Sequence, residues 1–291
     1  MLSLHTNTAA LSAQNSISKT QKSLSTSMTR LSTGFRINSA MDDAAGLQIA
    51  SRLKAQTSGM AVAMRNTQNS TSMLQTAEGA LDEVSNMLVR MKDLATQAAD
   101  ASSTTDDKTA MQSEYDALGQ ELSNVLKNTT FAGTKLLAGD TGTNGTIAST
   151  AGMTFQIGAS SSETMAVDLS GDMASLVSDV SSATSNYATS GTAGTELTSA
   201  ANATIGSLET ALASVGKVRS GLGAAANRLE HVYNNLANIS TNSKAATGLI
   251  MDVDFATESS NMTSSQMLLQ AGTAMLKQTN SMSSMVMSLL Q

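Results

Sequence analysis

Apolar residues recur every three or four positions along two long parts of the chain. One series runs from Leu74 to Ala98, and the other runs from Ile205 to Leu236 with Arg219 as its one interruption. This spacing places apolar side chains along one face of a helix, as in a coiled coil. The pattern therefore predicts two long helices, the first ending near Ala101, in a helical bundle that both ends of the chain close.

A third helix is predicted between these two. Residues 100–107 form a polar stretch in which Thr104 and Asp107 have the spacing of a capping box. Apolar residues then follow in steps of three and four, at Met111, Tyr115, Leu118, Leu122 and Val125. We expect this helix to end in residues 128–133.

Both chain ends carry a thinner apolar stripe. Its members are Leu4, Leu11, Leu24 and Leu31 near the N-terminus, and Leu268, Met275, Met282 and Leu289 near the C-terminus. Ser, Thr, Asn and Gln separate them, and such narrow stripes bury little surface to offset the loss of conformational entropy. We expect the two ends to pair with each other and with neighbouring copies, and to become ordered only on assembly.

Residues 31–56 join the first helix to the second. Gly34 tolerates the left-handed conformation that commonly ends a helix. Ser39 and Asp42 have capping-box spacing, and Asp43 adds a second carboxylate, so a new helix is expected to begin near Ala40. By these features alone, the stretch could be a helix hairpin or a kinked joint in any all-α protein.

Residues 140–203 differ in composition, being rich in Gly, Ser, Thr and Ala. Short alternating pieces at 153–157 and 165–169 predict a small hairpin. Beyond Asp172, a flexible surface loop is an equally good interpretation. The fold class is therefore all-α, with a small β-hairpin or loop insert.

Composition excludes several kinds of chemistry. The chain has no Cys, no Pro and two His, His5 and His231, which lie in different predicted segments, so neither a disulfide nor a zinc site is expected. We expect His231 to serve packing.

A net charge of −6 argues against nucleic-acid binding, and no apolar run is long enough for a signal peptide or for membrane insertion. No motif for catalysis or a cofactor is present, so composition by itself suggests a cytosolic protein without enzymatic activity.

Two separated sequence runs resemble the signatures of the bacterial flagellins. They are Leu31–Ala40 with Asp42–Gly46, and Asn227–Leu236 with Asp254–Glu258. The resemblance implies a structural subunit that polymerises with itself into an extracellular flagellar filament for swimming or swarming. It also implies export of the unfolded chain through the flagellar type III channel without a cleaved signal, which corrects the compartment that composition suggests.

The resemblance also implies a division of the chain and roles for its parts. The expected segments are an N-terminal inner coiled-coil helix (1–35), a connector (36–44), the outer bundle (45–139 and 204–249), a short variable insert (140–203) and a C-terminal inner helix (250–291). The two terminal stripes would pack between subunits. The expected connector residues are Gly34, Arg36, Asn38, Ser39, Asp42 and Asp43.

Other partners follow only from the resemblance. They are the flagellar export chaperone, the hook–filament junction and cap proteins, and an innate immune receptor of the Toll-like family. The candidate receptor contacts are Leu88, Arg90, Leu94 and Glu114, although Leu88 also belongs to the predicted apolar series and could serve packing alone.

Two other functions are weighed against the filament subunit. A hook–filament junction protein shares the paired terminal helices, but the intact Asn227–His231 and Asp254–Glu258 runs argue against it. A soluble intracellular coiled-coil scaffold would have ordered termini as a monomer. The Met-rich end and short insert also suggest a flagellin of the lateral type.

Overall fold

A computed structural model describes residues 7–137, 145–149, 152–187 and 193–289, with side chains described as far as Ser281. The long helices are α1 (Thr8–Thr33), α2 (Ala44–Ala99), α3 (Thr105–Asn128), α6 (Ala201–Met251) and α7 (Phe255–Leu289). Between α3 and α6 lie the strands β1 (Thr130–Phe131), β2 (Thr134–Lys135), β3 (Met153–Gln156) and β4 (Thr164–Val167), then α4 (Ser170–Ala183), a 3-10 turn (Ser185–Tyr187) and α5 (Glu196–Ser199). The all-α prediction with a small β insert is confirmed.

The chain divides into two compact units. The first, here the terminal unit, comprises residues 1–57 and 241–291, and the second, here the central unit, comprises residues 58–240. Both units draw on sequence from each side of the insert. Each therefore depends on contacts between residues far apart in the chain.

Helices α2 and α6 pack antiparallel in the central unit. Lys92 lies 2.8 Å from Glu209, and Asp82 lies 3.0 Å from Arg219, so the residue number rises on one helix as it falls on the other. The predicted apolar series fill the core between them and α3, with Leu81, Leu88, Tyr115, Leu208 and Leu222 fully buried. The capping box of α3 forms as predicted, because Thr104 and Asp107 each accept the other's backbone N–H.

The insert contains more helix than the sequence indicated. Strands β3 and β4 form the predicted hairpin, with Phe155 opposite Met165. The loop interpretation beyond Asp172 is wrong for α4, which buries residues spaced by three and four: Met173, Leu176, Val180 and Ala183. Tyr115 of α3 donates a hydrogen bond to the Ala183 carbonyl at 2.6 Å, so the end of α4 is held on the bundle.

A second, unpredicted hairpin follows α3. Strands β1 and β2 pair antiparallel across a turn in which Ala132 and Gly133 both have positive φ, at 49° and 85°. The sequence reasoning treated this stretch only as the end of α3. Strands of two residues are too short to produce a detectable alternation of apolar and polar positions.

The start of α2 differs from the prediction. Helix α1 ends at Thr33 with Gly34 left-handed at φ 76°, as predicted. However, α2 begins at Ala44, because the Asp43 side chain accepts the Gly46 N–H at 2.9 Å and takes the capping role that the sequence assigned to Ser39. A Cβ on residue 46 would lie 2.8 Å from Ile37 Cδ1, so this first turn also requires glycine.

Candidate assembly surface

Helices α1 and α7 form an antiparallel pair in the terminal unit. Arg30 lies 3.7 Å from Glu258, and Ile17 packs so closely on Gly272 that an added Cβ would lie 2.9 Å from Ile17 Cγ1. The less exposed residues alternate in steps of three and four on both helices. They are Ala10, Ala13, Ile17, Thr20, Leu24, Ser27 and Leu31 on α1, and Met262, Ser265, Leu269, Gly272, Leu276 and Thr279 on α7; we call them the seam.

The structure separates the predicted packing residues into two groups. Leu24 and Leu31 belong to the seam and are half-buried. Leu11, Leu268 and Met275 point away from it and are exposed, Leu268 at 61% and Met275 at 63%. Leu4 and the side chains of Met282 and Leu289 lie outside the described part of the chain. The same sevenfold spacing thus serves two different surfaces.

The exposed apolar residues lie on opposite sides of the helix pair. Leu268 and Met275 each come immediately before a seam residue of α7, whereas Leu11 and Met28 each come immediately after a seam residue of α1. In an antiparallel pair, residues at equivalent heptad positions of the two helices lie on the same side of the pair. A residue that precedes a seam residue in the sequence of α7 and a residue that follows a seam residue in the sequence of α1 therefore lie on opposite sides. We call these the α7 flank (Leu268, Met275) and the α1 flank (Leu11, Met28).

Sequence reasoning missed Met28 and Met267 as exposed apolar residues. Met28 lies three residues before Leu31, a member of the predicted stripe, yet it is exposed beside the seam residue Ser27. Met267 is exposed next to Leu268. The sequence carries no clear signal for Met28, because the residue buried beside it is a serine and adds nothing to a pattern of apolar positions.

A polar contact between oppositely charged side chains lies beside the seam. Glu258 is almost fully buried, and its partner Arg30 is partly exposed. The buried Ser27 lies one turn away on α1. A one-step slip of either helix would separate the two charges and leave a carboxylate without its cation in a mostly buried place, which is costly.

The predicted connector residues lie together, and backbone hydrogen bonds tie two of them, Gly34 and Arg36, to the segment where α6 ends and leads into α7. Phe35 and Asp252 form an antiparallel bridge, in which the Arg36 N–H donates to the Met251 carbonyl at 2.6 Å and the Val253 N–H donates to the Gly34 carbonyl at 3.0 Å. The Arg36 guanidinium also donates to the Ile250 carbonyl at 2.9 Å. The two chain segments therefore pass through the connector side by side.

Carboxylates organise the turn before α2 and the turn before α7. Asp42 accepts hydrogen bonds from the backbone N–H groups of Ser39 and Asn38, which hold its carboxyl pKa below the usual value. Asp254 accepts from the Thr257 hydroxyl and the Ala256 N–H at the first turn of α7, and its pKa is lowered in the same way. Ser39 and Asp42 thus stabilise a turn, not the start of a helix.

The structure places the candidate receptor contacts in two different environments. Leu88 and Leu94 are 0% and 3% exposed in the core of the central unit, so direct recognition through these two side chains is contradicted. Arg90 and Glu114 are exposed and form an ion pair with a closest distance of 2.6 Å. His231 is also exposed, so the expectation that it serves packing is wrong.

Within the described residues, the arrangement offers surfaces and not reaction chemistry. This part of the chain contains no group of three or more His, Asp or Glu side chains placed to hold a metal ion. Across the same ranges, no helix is both long and apolar enough to cross a membrane. What distinguishes the terminal unit is exposed apolar side chains on a well-defined helix pair, a feature typical of protein–protein contacts.

Comparisons with known proteins identify both halves of the chain. Residues 4–141 match the model of the bacterial flagellin N-terminal helical region, and residues 205–290 match that of the C-terminal helical region. A solved structure of Bacillus cereus flagellin is 30% identical, covers 63% of this chain and 94% of that chain, and has a TM-score of 0.45.

Two relatives match over nearly their whole length. Flagellin A of Vibrio anguillarum is 33% identical, with 100% of both chains covered, and flagellin of Halalkalibacterium halodurans is 38% identical over 91% of this chain and 90% of its own. The alignment to the Vibrio protein spans 386 positions against the 291 residues of this chain, so that relative contains residues that this one lacks. The chain belongs to the bacterial flagellins and is a structural subunit of the flagellar filament, not an enzyme.

Proposed function

We propose that the α1–α7 pair is the inter-subunit element of the filament and that the two flanks dock against each other between neighbouring copies. The observation that carries this proposal is the position of the exposed apolar residues on opposite sides of the pair. An open helical polymer needs contacts between two different surfaces, since a surface that pairs with itself closes into a dimer. The α7 flank of one subunit would pack on the α1 flank of the next.

The polarity of α7 supports this assignment. Immediately after its seam residues, α7 carries Gln266, Thr273 and Asn280, which are all polar, whereas Leu268 and Met275 stand immediately before. Only one side of α7 therefore gains from burial. Fully burying an exposed Leu or Met side chain contributes about 1.5–3 kcal/mol, so covering the α7 flank would favour growth.

Assembly would also order the chain ends. The seam of α1 is built largely from Ala, Ser and Thr, so pairing with α7 alone buries little apolar surface. Docking adds the burial that each terminal helix lacks, and residues 1–35 and 250–291 then form the inner layer of the filament. Hydrogen exchange tests this step: amides of α1 and α7 should exchange much faster in the monomer than in the filament, while those of the core of the central unit exchange at similar rates in both.

The test of the docking proposal compares two double variants on the same helix. Leu268→Asn/Met275→Asn makes the α7 flank polar, and Gln266→Asn/Thr273→Asn changes the opposite side. Seeded growth is followed by electron microscopy and sedimentation. The first variant should raise the critical concentration at least about tenfold, since two apolar contacts are lost. Equal growth of the two variants, or failure of the unaltered chain to elongate active seeds, would refute the proposal.

The remaining partners are proposed from the family. Exposed apolar flanks need protection before assembly, so the flagellar export chaperone would cover α7 in the cell before export through the type III channel. The hook–filament junction and cap proteins would meet the same flanks at the two ends of the filament. Pull-down of the chaperone by the unaltered chain, but not by Leu268→Asn/Met275→Asn, is the expected result.

We also propose an immune receptor of the Toll-like family as a partner, because two of the candidate contact residues form an exposed ion pair. Arg90 and Glu114 are exposed and paired across α2 and α3, and so present a fixed charge pattern. Arg90→Ala should reduce signalling by cells that express the receptor. Lys108→Ala, on the same unit, provides the control for a lost positive charge. Equal signalling by both variants would remove Arg90 from the contact.

A further inference from the structure

Methionine is unevenly distributed between exposed and buried positions. Among the side chains that the structure describes, the exposed methionines are Met28, Met41, Met267 and Met275, and all four belong to the terminal unit. The buried methionines, such as Met91 and Met173, belong to the central unit. Three of the exposed four lie on α1 or α7, on or beside the proposed docking flanks.

The exposed thioethers are the reactive sulfur of this protein. The chain has no Cys, so a peroxide meets methionine as its only sulfur target. The sulfur attacks one peroxide oxygen with its lone pair, the O–O bond breaks and a methionine sulfoxide and water are formed. The sulfur is oxidised and the peroxide is reduced, and oxidation is favoured where the side chain is exposed.

We propose that Met28, Met267 and Met275 are oxidation sites that control docking of the free subunit. This inference rests on the proposed docking of the flanks. A sulfoxide turns a flexible apolar side chain into a strong hydrogen-bond acceptor. Its apolar neighbours Leu11 and Leu268 offer no side-chain donor, so burying the sulfoxide against such a surface would leave its oxygen unsatisfied. Oxidised subunits are excluded from the filament until a methionine sulfoxide reductase restores the thioether.

Met41 is an internal reference for this proposal. It is 96% exposed in the turn that precedes α2 and belongs to neither terminal helix. A peroxide should oxidise it at least as readily as the three methionines on the helices. A sulfoxide at residue 41 nevertheless adds nothing polar to a docking surface.

An interference experiment on the full-length subunit tests the proposal. Monomer is treated with hydrogen peroxide until about half of each exposed methionine is oxidised, and seeds are then added. Filaments are separated from unincorporated monomer, and sulfoxide is quantified at each methionine by peptide mass spectrometry. Sulfoxide at residues 28, 267 and 275 should be about tenfold lower in filaments than in the unincorporated fraction, equivalent to about 1.4 kcal/mol, while Met41 sulfoxide is equal in both.

The outcomes distinguish this proposal from the one on which it rests. Equal sulfoxide at all four positions in both fractions, with normal growth of untreated protein, overturns the oxidation proposal alone. If untreated protein does not elongate active seeds, the docking proposal fails and the oxidation proposal fails with it. Reductase treatment of the unincorporated fraction should return it to growth, and continued exclusion after complete reduction would also overturn the proposal.

Two single variants provide a test without peroxide. Met275→Gln places a permanent polar group on the α7 flank, and Met275→Leu preserves an apolar side chain of similar size. The Gln variant should elongate seeds about tenfold more slowly than the Leu variant. Equal rates would show that this flank tolerates a polar group and would overturn the proposal for Met275.

Discussion

Glu258 of α7 is paired with Arg30 of α1 at 3.7 Å, although only 7% of Glu258 is exposed. The contact joins residues from opposite ends of the sequence. It is a specific polar interaction in a helix pair whose seam combines small side chains with Ile, Leu and Met. We expect the register of the terminal pair to depend on this contact.

Reversing the charge of Glu258 should destabilise the terminal pair. Glu258→Arg places two cations together in a mostly buried place and should reduce the stability of the α1–α7 pair by about 2–4 kcal/mol. The loss is smaller than for a fully buried ion pair because Arg30 is partly exposed. In the assembled filament, the expected result is faster hydrogen exchange in α1 and α7, with no change in the central unit. The double variant Arg30→Glu/Glu258→Arg should recover part of the protection, and no recovery would show that the pair does not set the register.

Removing the Tyr115 hydroxyl should destabilise the central unit. Tyr115 is fully buried, burial raises the pKa of its phenol, and its hydroxyl donates to the Ala183 carbonyl at 2.6 Å. Tyr115→Phe leaves that carbonyl without this donor and should lower the free energy of unfolding by about 1–2 kcal/mol in urea denaturation. Tyr233→Phe changes an exposed tyrosine and should leave the free energy of unfolding within about 0.5 kcal/mol of that of the unaltered protein.

Two glycines in helix interiors should respond oppositely to alanine. No atom lies within 4 Å of a Cβ placed on Gly79, so Gly79→Ala should stabilise the central unit by about 0.5–1 kcal/mol. A Cβ on Gly119 would lie 2.6 Å from Oγ1 of the buried Thr184. Gly119→Ala should therefore destabilise the central unit. Thermal unfolding of both variants measures the difference, and a shift of the same sign would mean that the approach of Thr184 to α3 is not rigid.

The attachment of α5 should weaken in acid because of Glu196. Burial alone would raise the pKa of Glu196, but hydrogen bonds from the backbone and hydroxyl of Ser185 and from Gln112 lower it overall. A lowered pKa means that the carboxylate stabilises the fold above its unfolded pKa, about 4.3, and that this contribution is lost as the pH falls through the folded value.

Glu196→Gln separates this effect from general acid unfolding. At pH 7 the variant should be less stable than the unaltered chain by about 1 kcal/mol, and the difference should shrink towards zero below pH 4. Urea denaturation at a series of pH values is the measurement. A difference that does not depend on pH would show that the Glu196 charge is not involved.

The long helices could be predicted from sequence because their signals are local. The apolar steps from Leu74 to Ala98 and the capping box at Thr104 act over a few residues, and both appear in the structure as expected. The start of α2 was misplaced because Asp42 and Asp43 both follow a Ser at a plausible spacing. Only the observed hydrogen bonds show that Asp42 closes a turn and that Asp43 caps the helix.

The terminal surface could be predicted only in part. Leu24 and Leu268 occupy similar sevenfold patterns, yet one lies in the seam and the other is exposed. Which face of a helix is covered depends on its partner and on the register between the two helices, visible here in the Arg30–Glu258 and Ile17–Gly272 contacts. That register is a tertiary property and is absent from the spacing of either helix alone.

The bridge between Phe35 and Asp252 has a mechanical consequence. Hydrogen bonds between antiparallel strands run perpendicular to the strands. A force along the connector therefore acts in shear on the Arg36–Met251 and Val253–Gly34 bonds, and both bonds resist it together. Two covalent backbones share the tension at this point. Since the bonds between these backbones use main-chain atoms, a change of side chain other than to proline leaves both donors in place.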